Sequence, residues 1–324
     1  MKPSVNLSKL LLILFILISI ASTPSESSSA TETIKVASFN IQVFGTAKAS
    51  DPFVMDILAR TTAEFDIVAI QEIRDISETA IIDLENAVDS LGSDYDVILG
   101  PRLGRTTMKE QYAFIFRTSK IHYAESYTYD DSVSDLFHRE PFIGSFSMVD
   151  GNFDFVLVTI HTDPDEATEE IDSLPLVIED AKAHFPGEQD IILLGDLNAD
   201  GTYFDEDDMS VPLRNDCYIW LITNDMDTNV ATSSCTYDRI LITEDFDPNY
   251  TISAGVFRFD QVFSLTDTEA QGVSDHYPVW AEFTTTIQSG VTSSTSSSSS
   301  SGGGGGGCFI ETIFFWLANT KSAL

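Results

Sequence analysis

The chain is 324 residues long and 43% hydrophobic, enough for one sizeable core, and it sets 17 Lys and Arg against 51 Asp and Glu for a formal charge of −34. A field of that sign excludes general attraction to nucleic acid or any other polyanion. A polyanionic partner must therefore be met by a local basic face.

Residues 1–30 read as a secretory signal. Lys2 and Lys9 precede the apolar run Leu10 to Ile20, and small residues follow, with candidate cleavage points after Ala21 or Ala30. The run is too short for a comfortable membrane span. One catalytic domain is expected over residues 31–287. Thr33 to Asn40 alternates as a half-buried strand does. Asp51-Pro52 is an N-cap followed by proline at the first helical position, and Val54, Ile57, Leu58, Thr61 and Phe65 keep helical spacing. Asp66 to Ile70 is a buried strand delivering Gln71-Glu72 to its end, and Ser77 is expected to cap a helix with an Ile81, Leu84, Val88, Leu91 stripe. Tyr95 to Leu99 is a short strand running into the basic loop GPRLGRTTMKEQ, and Tyr112 to Arg117 is the returning strand. The acidic stretch Tyr127 to Asp135 is irregular; His138-Arg139-Glu140-Pro141 then precedes the strand FIGSFSM, and Phe153 to Ile160 is a strand ending at His161. A helix around Glu169 to His184 leads to Ile191–Leu194, four aliphatics that stop at Gly195, Asp196 and Asn198. Such an ending places a carboxylate and an amide at the C-terminal edge of a sheet, where α/β folds put their chemistry.

Cys217 and Cys235 flank the apparent strands YIWLI and YDRILI and are the cysteine pair inside the domain; a disulfide between them is expected in a secreted chain. Ser274-Asp275-His276-Tyr277-Pro278 precedes a closing strand to Thr284. Two strand-rich halves with helices between strands suggest two packed sheets with helices outside. From Gln288 the pattern gives way to a Ser/Gly tract, a flexible linker over residues 288–307. Residues 308–324 carry Cys308 and FIETIFFWLA, too short to cross a bilayer as a helix and similar to a processed sorting or anchoring tail, with a disordered tail of no role as the alternative.

The polar residues gathered at strand ends are Asn40, Glu72, Glu110, Arg139, His161, Asp196, Asn198, Asp238, Asp275 and His276. Phosphodiester hydrolysis needs a hard cation to neutralise phosphate charge, a base to take a proton from water and an acid to protonate the leaving oxygen. Oxygen donors on Asn40, Glu72, Asp196, Asn198 and Asp275 suit Mg²⁺, Mn²⁺ or Ca²⁺, whereas two histidines without thiolates do not make a structural zinc site. Each histidine needs a carboxylate to hold its tautomer and orientation. Arg74, Arg102, Arg105, Lys109 and Arg139 fall within or beside these motifs and form the candidate basic face.

QEIRD, LGR..KE, REP, IH, GDLNAD, YDRI and SDHYP, in that order across residues 33–284, resemble the deoxyribonuclease I family of the endonuclease/exonuclease/phosphatase superfamily. The resemblance implies a four-layer α/β sandwich, two packed β-sheets flanked by helices. It implies two acid/base dyads, His161 with Glu110 and His276 with Asp238. Asn40, Glu72, Asp196, Asn198 and Asp275 would hold Mg²⁺ (or Mn²⁺) and the scissile phosphate, Arg139 would contact phosphate, and Arg74 resembles the family's minor-groove arginine. Asp131, Asp135 and Glu140 lie where the family's loop holds a structural Ca²⁺, and Asp227 with Asn229 and Ser233 resembles its second Ca²⁺ site. Three departures stand out. Met108 replaces a tyrosine that stacks on deoxyribose, a loop disulfide is missing from the shortened segment Ser132 to Phe137, and Gly201 occupies the position of a family cysteine while Cys235 remains. The implied activity is that of a secreted or cell-surface monomer, a divalent-cation-dependent endonuclease that leaves 5′-phosphate and 3′-hydroxyl ends on DNA. A sphingomyelin-type lipid phosphodiesterase would need an apolar membrane-contacting insertion between Asn40 and Pro278, and the sequence has none. A non-catalytic binding module would be favoured by loss of a dyad residue, and all four are present.

Overall fold

The structure is a computed structural model that describes residues 30–247 and 251–287. The expected signal (apart from Ala30), linker and tail lie outside the described residues. Strand β1 (Ala30–Phe44) leads through the single-turn helix α1 (Thr46–Ala49) and α2 (Pro52–Thr62) to β2 (Ile67–Ile73). Asp51 caps α2 as its sequence predicts, accepting from the backbone N–H groups of Phe53 and Val54. Helix α3 (Thr79–Asp89) follows, then β3 (Tyr95–Leu99) and β4 (Gln111–Arg117). Here one expectation is corrected. Asp75, not Ser77, serves the start of α3: its carboxylate accepts from the N–H groups of Ser77, Thr79 and Ala80. A carboxylate reaches two orphan donors of the first turn, and the Ser77 N–H besides, where a hydroxyl reaches one. Leu91 lies past the end of α3 and is half exposed, so the buried stripe is Ile81, Leu84 and Val88.

The second half comprises β5 (Ile121–Thr128), β6 (Phe142–Met148), β7 (Asp154–His161), α4 (Ala167–His184), β8 (Ile191–Asp196), β9 (Tyr218–Trp220) and β10 (Asp238–Thr243). The chain closes with β11 (Thr251–Val256), α5 (Phe259–Val262), α6 (Asp267–Val273) and β12 (Val279–Ile287). Helix α6 has a reciprocal capping box between Thr266 and Glu269, a signature the sequence carries.

The strands form two six-stranded sheets, β11-β12-β1-β2-β4-β3 and β5-β6-β7-β8-β10-β9. Each contains one parallel pair, β1 with β2 and β7 with β8. Parallel neighbours need a crossover, and α1 and α2 supply one while α4 supplies the other. Phe114, Phe142, Phe146, Phe155, Ile192, Leu194 and Phe283 fill the space between the sheets; α2 and α3 cover the outer face of the first sheet and α4 that of the second. The architecture is the four-layer sandwich expected. Gln71 Nε2 donates to Thr159 Oγ1 at 3.0 Å, tying the sheets together where both parallel pairs end.

The expected Cys217–Cys235 disulfide does not form: Cys235 is a free thiol. Antiparallel pairing of β9 with β10 sets Cys217 beside Glu244, whose N–H donates to its carbonyl at 2.8 Å, whereas Cys235 precedes the opposite end of β10. The six residues of β10 span about 20 Å, several times the Cα separation a disulfide bridges. Cys235 instead stands by Gly201, where a β-carbon would approach its sulfur to 3.9 Å.

Two outcomes follow. Cys235→Ser should leave the melting temperature nearly unchanged, against a loss of roughly 3 kcal/mol had it closed the expected loop. Gly195 has φ +156, and a β-carbon there would collide with the Ile160 backbone carbonyl across the β7–β8 pair. Gly195→Ala should therefore cost more than about 4 kcal/mol in chemical denaturation.

Candidate active site

Strand register brings the site together. In the second sheet His161 lies opposite Asp196 across β7 and β8, and Asp196 opposite Asp238 across β8 and β10. In the first sheet Asn40 lies opposite Gln71, one residue before Glu72. His161 Nδ1 meets Glu110 Oε2 at 2.9 Å, and His276 Nδ1 meets Asp238 Oδ2 at 2.8 Å. Both Nε2 atoms then face the same oxygen, Asp196 Oδ2, each at 3.5 Å. Asn40 Nδ2 crosses from the first sheet to donate to that oxygen at 3.0 Å and to Glu72 Oε1 at 3.1 Å.

The electrostatics are mutual. Burial opposes ionisation of Glu110, but the hydrogen bond from His161 and the charges of His161, Arg139 and Arg74 outweigh it and bring its carboxyl down to about 2. Burial likewise opposes the Asp196 carboxylate, yet His276, His161 and the N–H donors of Asn198 and Asn40 hold it below the ordinary range. Burial disfavours both imidazolium forms. Asp238 and Asp196 nonetheless raise His276 well above its usual value, and for His161 the Glu110 hydrogen bond and Asp196 outweigh burial and the nearby Arg139.

The remaining expected residues fall at different distances from this centre. Asn198, at φ 46, donates from Nδ2 to Thr162 O at 3.1 Å while its N–H is held by Asp196 Oδ1. Asp275 stands beside His276, its Oδ1 3.8 Å from Nε2 and buried without a hydrogen-bond partner. Arg74 bridges the two acids, 2.7 Å from Glu110 and 3.3 Å from Glu72. Arg139 is buried, donating at 2.9 Å to the carbonyls of His161 and Thr162. It therefore braces the strand end that carries His161. Arg102 closes its own loop onto Lys109 O, and Arg105 is engaged by Asp135 and Glu166. Lys109 and Met108 are exposed on the same loop.

The candidate calcium residues are not drawn into the centre. Asp131 accepts from Phe137 N–H, Asp135 pairs with Arg105, and Glu140 is half-buried. Asp227 accepts from Asn229 and Cys235 N–H, and Asn229 closes onto Ser233. Residues to which the motifs assign no role also serve the site. Tyr112, fully buried, accepts from His161 N–H at 3.0 Å, and Ser274 Oγ joins Asn40 O to His276 N–H. Lys48 sits near Glu72 and Asp275. No periodicity marks a lone tyrosine, serine or lysine as a support.

Asp196, Asp238 and His276 offer ligand atoms within 4.8 Å of one another, and Glu72 on the adjoining sheet and Asp275 before β12 add carboxylate oxygens, while Asn40 turns its amide nitrogen toward Asp196 and Glu72. A dense oxygen donor set with a buried, unpartnered carboxylate oxygen fits a hard divalent cation. Two histidines in opposed carboxylate dyads can move protons on either side of a tetrahedral ester placed between them.

Glu170, buried on α4, accepts from His138 N–H at 2.7 Å and Asp163 N–H at 3.2 Å and so fixes both segments around Arg139. Burial raises its carboxyl to about 7. The folded state then holds a proton that the unfolded chain, near 4.5, has released, so the contribution is fully present below about pH 4.5 and lost as pH rises through 7. Glu170→Gln should flatten the fall in unfolding free energy between pH 5 and 8 by up to about 3 kcal/mol, read from denaturation curves at each pH.

The Endonuclease/Exonuclease/phosphatase family profile matches residues 37–276. Deoxyribonuclease-1 of Oryctolagus cuniculus is 36% identical over 259 residues, covering 76% of this chain and 91% of its own; human deoxyribonuclease gamma is 34% identical over 258 residues, covering 76% and 84%. Among solved structures, an endonuclease/exonuclease/phosphatase family protein from Bacteroides thetaiotaomicron superposes with a TM-score of 0.57 at 19% identity, covering 80% of this chain and 97% of that one. Profile, identity and paired sheets agree that this chain belongs to the deoxyribonuclease I family of the endonuclease/exonuclease/phosphatase superfamily and is a phosphodiester hydrolase.

Proposed function

We propose that the protein is a secreted, Mg²⁺- or Mn²⁺-dependent endonuclease that hydrolyses DNA phosphodiesters to 5′-phosphate and 3′-hydroxyl ends. The convergence of two His/carboxylate dyads on one Asp196 oxygen carries this reading. The names of the relatives as deoxyribonucleases support DNA as the substrate. With the scissile phosphate between the two Nε2 atoms, one imidazole takes the proton of the attacking water and the other protonates the leaving oxygen. Glu110 and Asp238, each on Nδ1, fix the tautomers that make this possible. Asn40, Glu72, Asp196, Asn198 and Asp275 hold the cation and the phosphate. When bound, the cation neutralises the charge that builds on the phosphate oxygens.

Arg74, Arg102 and Lys109 are the cations we assign to the duplex, while Arg105 and Arg139 act by bracing the loop and strand end beside them. Exposed Met108 offers less stacking area than the tyrosine of relatives. Structural Ca²⁺ is assigned to Asp131, Asp135 and Glu140, and to Asp227 with Asn229. The tail at 308–324 is a candidate for cell-surface attachment of the monomer.

Plasmid nicking in Mg²⁺ against EDTA tests the reading, with end-labelling before and after phosphatase treatment reporting the polarity of cleavage. His161→Ala and His276→Ala should each lower turnover by about 10² to 10⁴, measured on protein that retains its fold. Turnover within about tenfold of wild type in either variant rejects that histidine's role.

A further inference from the structure

Asn40 and Glu72 are delivered by backbone that departs from regular strand on both sides. Asn40 pairs with Gln71 and Phe44 with Ile73, so Ile41, Gln42 and Val43 lie opposite Glu72 alone. On the other flank Ile70 pairs with Ala113 and Ile73 with Gln111, leaving Gln71 and Glu72 opposite Tyr112. Glu72 has φ 63, and Gln42 and Val43 are left-handed at φ 43 and 50. Such φ values are unfavourable for any side chain, and most of all for β-branched valine, so surrounding contacts must hold them. The bulge has two outputs. Gln42 N–H donates to Asn40 Oδ1 at 2.9 Å, and Val43 N–H donates to Glu72 Oε2 at 2.7 Å.

One side chain fastens it. Lys48, from α1, donates through Nζ to Ile41 O and to Gln42 O, each at 2.8 Å. Turning two successive carbonyls toward one ammonium fixes the peptide planes on which the left-handed turn depends. Burial lowers the Lys48 pKa to about 8, while Asp275 and Glu72 nearby favour its charged form.

We propose that Lys48 is a positioning residue for the cation site, locking the left-handed bulge that aims Asn40 and Glu72. The inference rests on the proposed role of those two residues as ligands. A role confined to charge would have the opposite sign. Removing an ammonium from beside Glu72 and Asp275 should tighten a divalent cation, whereas loosening the bulge should weaken it.

The test is Mn²⁺ binding to wild type, Lys48→Met and Lys48→Arg, by calorimetry or electron paramagnetic resonance, with melting temperatures in EDTA. Lys48→Met should raise the Mn²⁺ dissociation constant by about 10- to 100-fold, the usual range for a lost support behind a ligand. Lys48→Arg, which keeps donors and charge, should restore most of the affinity. Val43→Gly in the Lys48→Met background should recover part of it, because glycine takes the left-handed conformation at little cost. In nicking assays the Lys48→Met loss should fall on kcat and leave KM for DNA unchanged. Mn²⁺ binding by Lys48→Met as tight as wild type, or tighter, overturns the proposal. So does a loss that neither arginine nor Val43→Gly repairs, or a wild type that binds no Mn²⁺. Wild type that binds Mn²⁺ yet fails to nick plasmid removes the nuclease reading and leaves the positioning role standing.

Discussion

Everything at the mouth of the sandwich is arranged around one desolvated carboxylate. Asp196 is buried at the end of β8, and its Oδ2 receives Asn40 Nδ2 while facing the Nε2 atoms of His161 and His276. An isolated carboxylate in that position would be strongly unfavourable, so the fold must bring compensating donors from both sheets. Each donor in turn requires an anchor. Glu110 and Asp238 hold the histidines, and Arg74 and Arg139 balance Glu110. The result is a network in which removing one partner leaves another buried charge unmatched, an arrangement whose coupling exceeds the sum of its pairs.

Backbone strain concentrates at the same edge. Gln42, Val43, Glu72 and Asn198 all have positive φ, and all lie where a strand leaves its sheet to present a side chain or N–H group to the centre. Gly195 occupies the position in β8 where the neighbouring strand approaches too closely for any side chain. Regular strands would point these groups alternately up and down. Bulges in β1 and β2 re-aim them toward one point, the common use of a bulge beside an active site. The hydrophobic layers beneath are regular, and their rigidity is what holds the irregular edge in place.

The distribution of cations resolves the apparent conflict between a charge of −34 and a polyanionic substrate. Arg74, Arg105 and Arg139 are engaged by acids or carbonyls, so their first task is to organise the site and its bordering loops. Arg105, through Asp135 and Glu166, fastens the loop between β5 and β6 to the start of α4. DNA would thus meet a small surface of short-range contacts within a repulsive field, and its binding would depend steeply on salt.

The sequence by itself determined most of the strands and helices as far as β8, though not β5, the aliphatic runs that end at His161 and Asp196, and the capping of α2 by Asp51. These depend on local periodicity and local hydrogen bonds, which a chain carries in its own order. The motifs QEIRD, GDLNAD and SDHYP likewise pointed to the dyads, because residue type limits which group can hold a proton or a cation. Tertiary structure decided the rest. The register of β9 on β10 carried Cys217 away from Cys235, and Asp75 took the capping role assigned to Ser77. Folding also turned Arg139 inward and brought Lys48 behind Asn40 and Glu72. Each of these depends on which carbonyl or N–H group arrives within about 3 Å of a side chain once distant strands have paired, and no spacing along the chain encodes that distance.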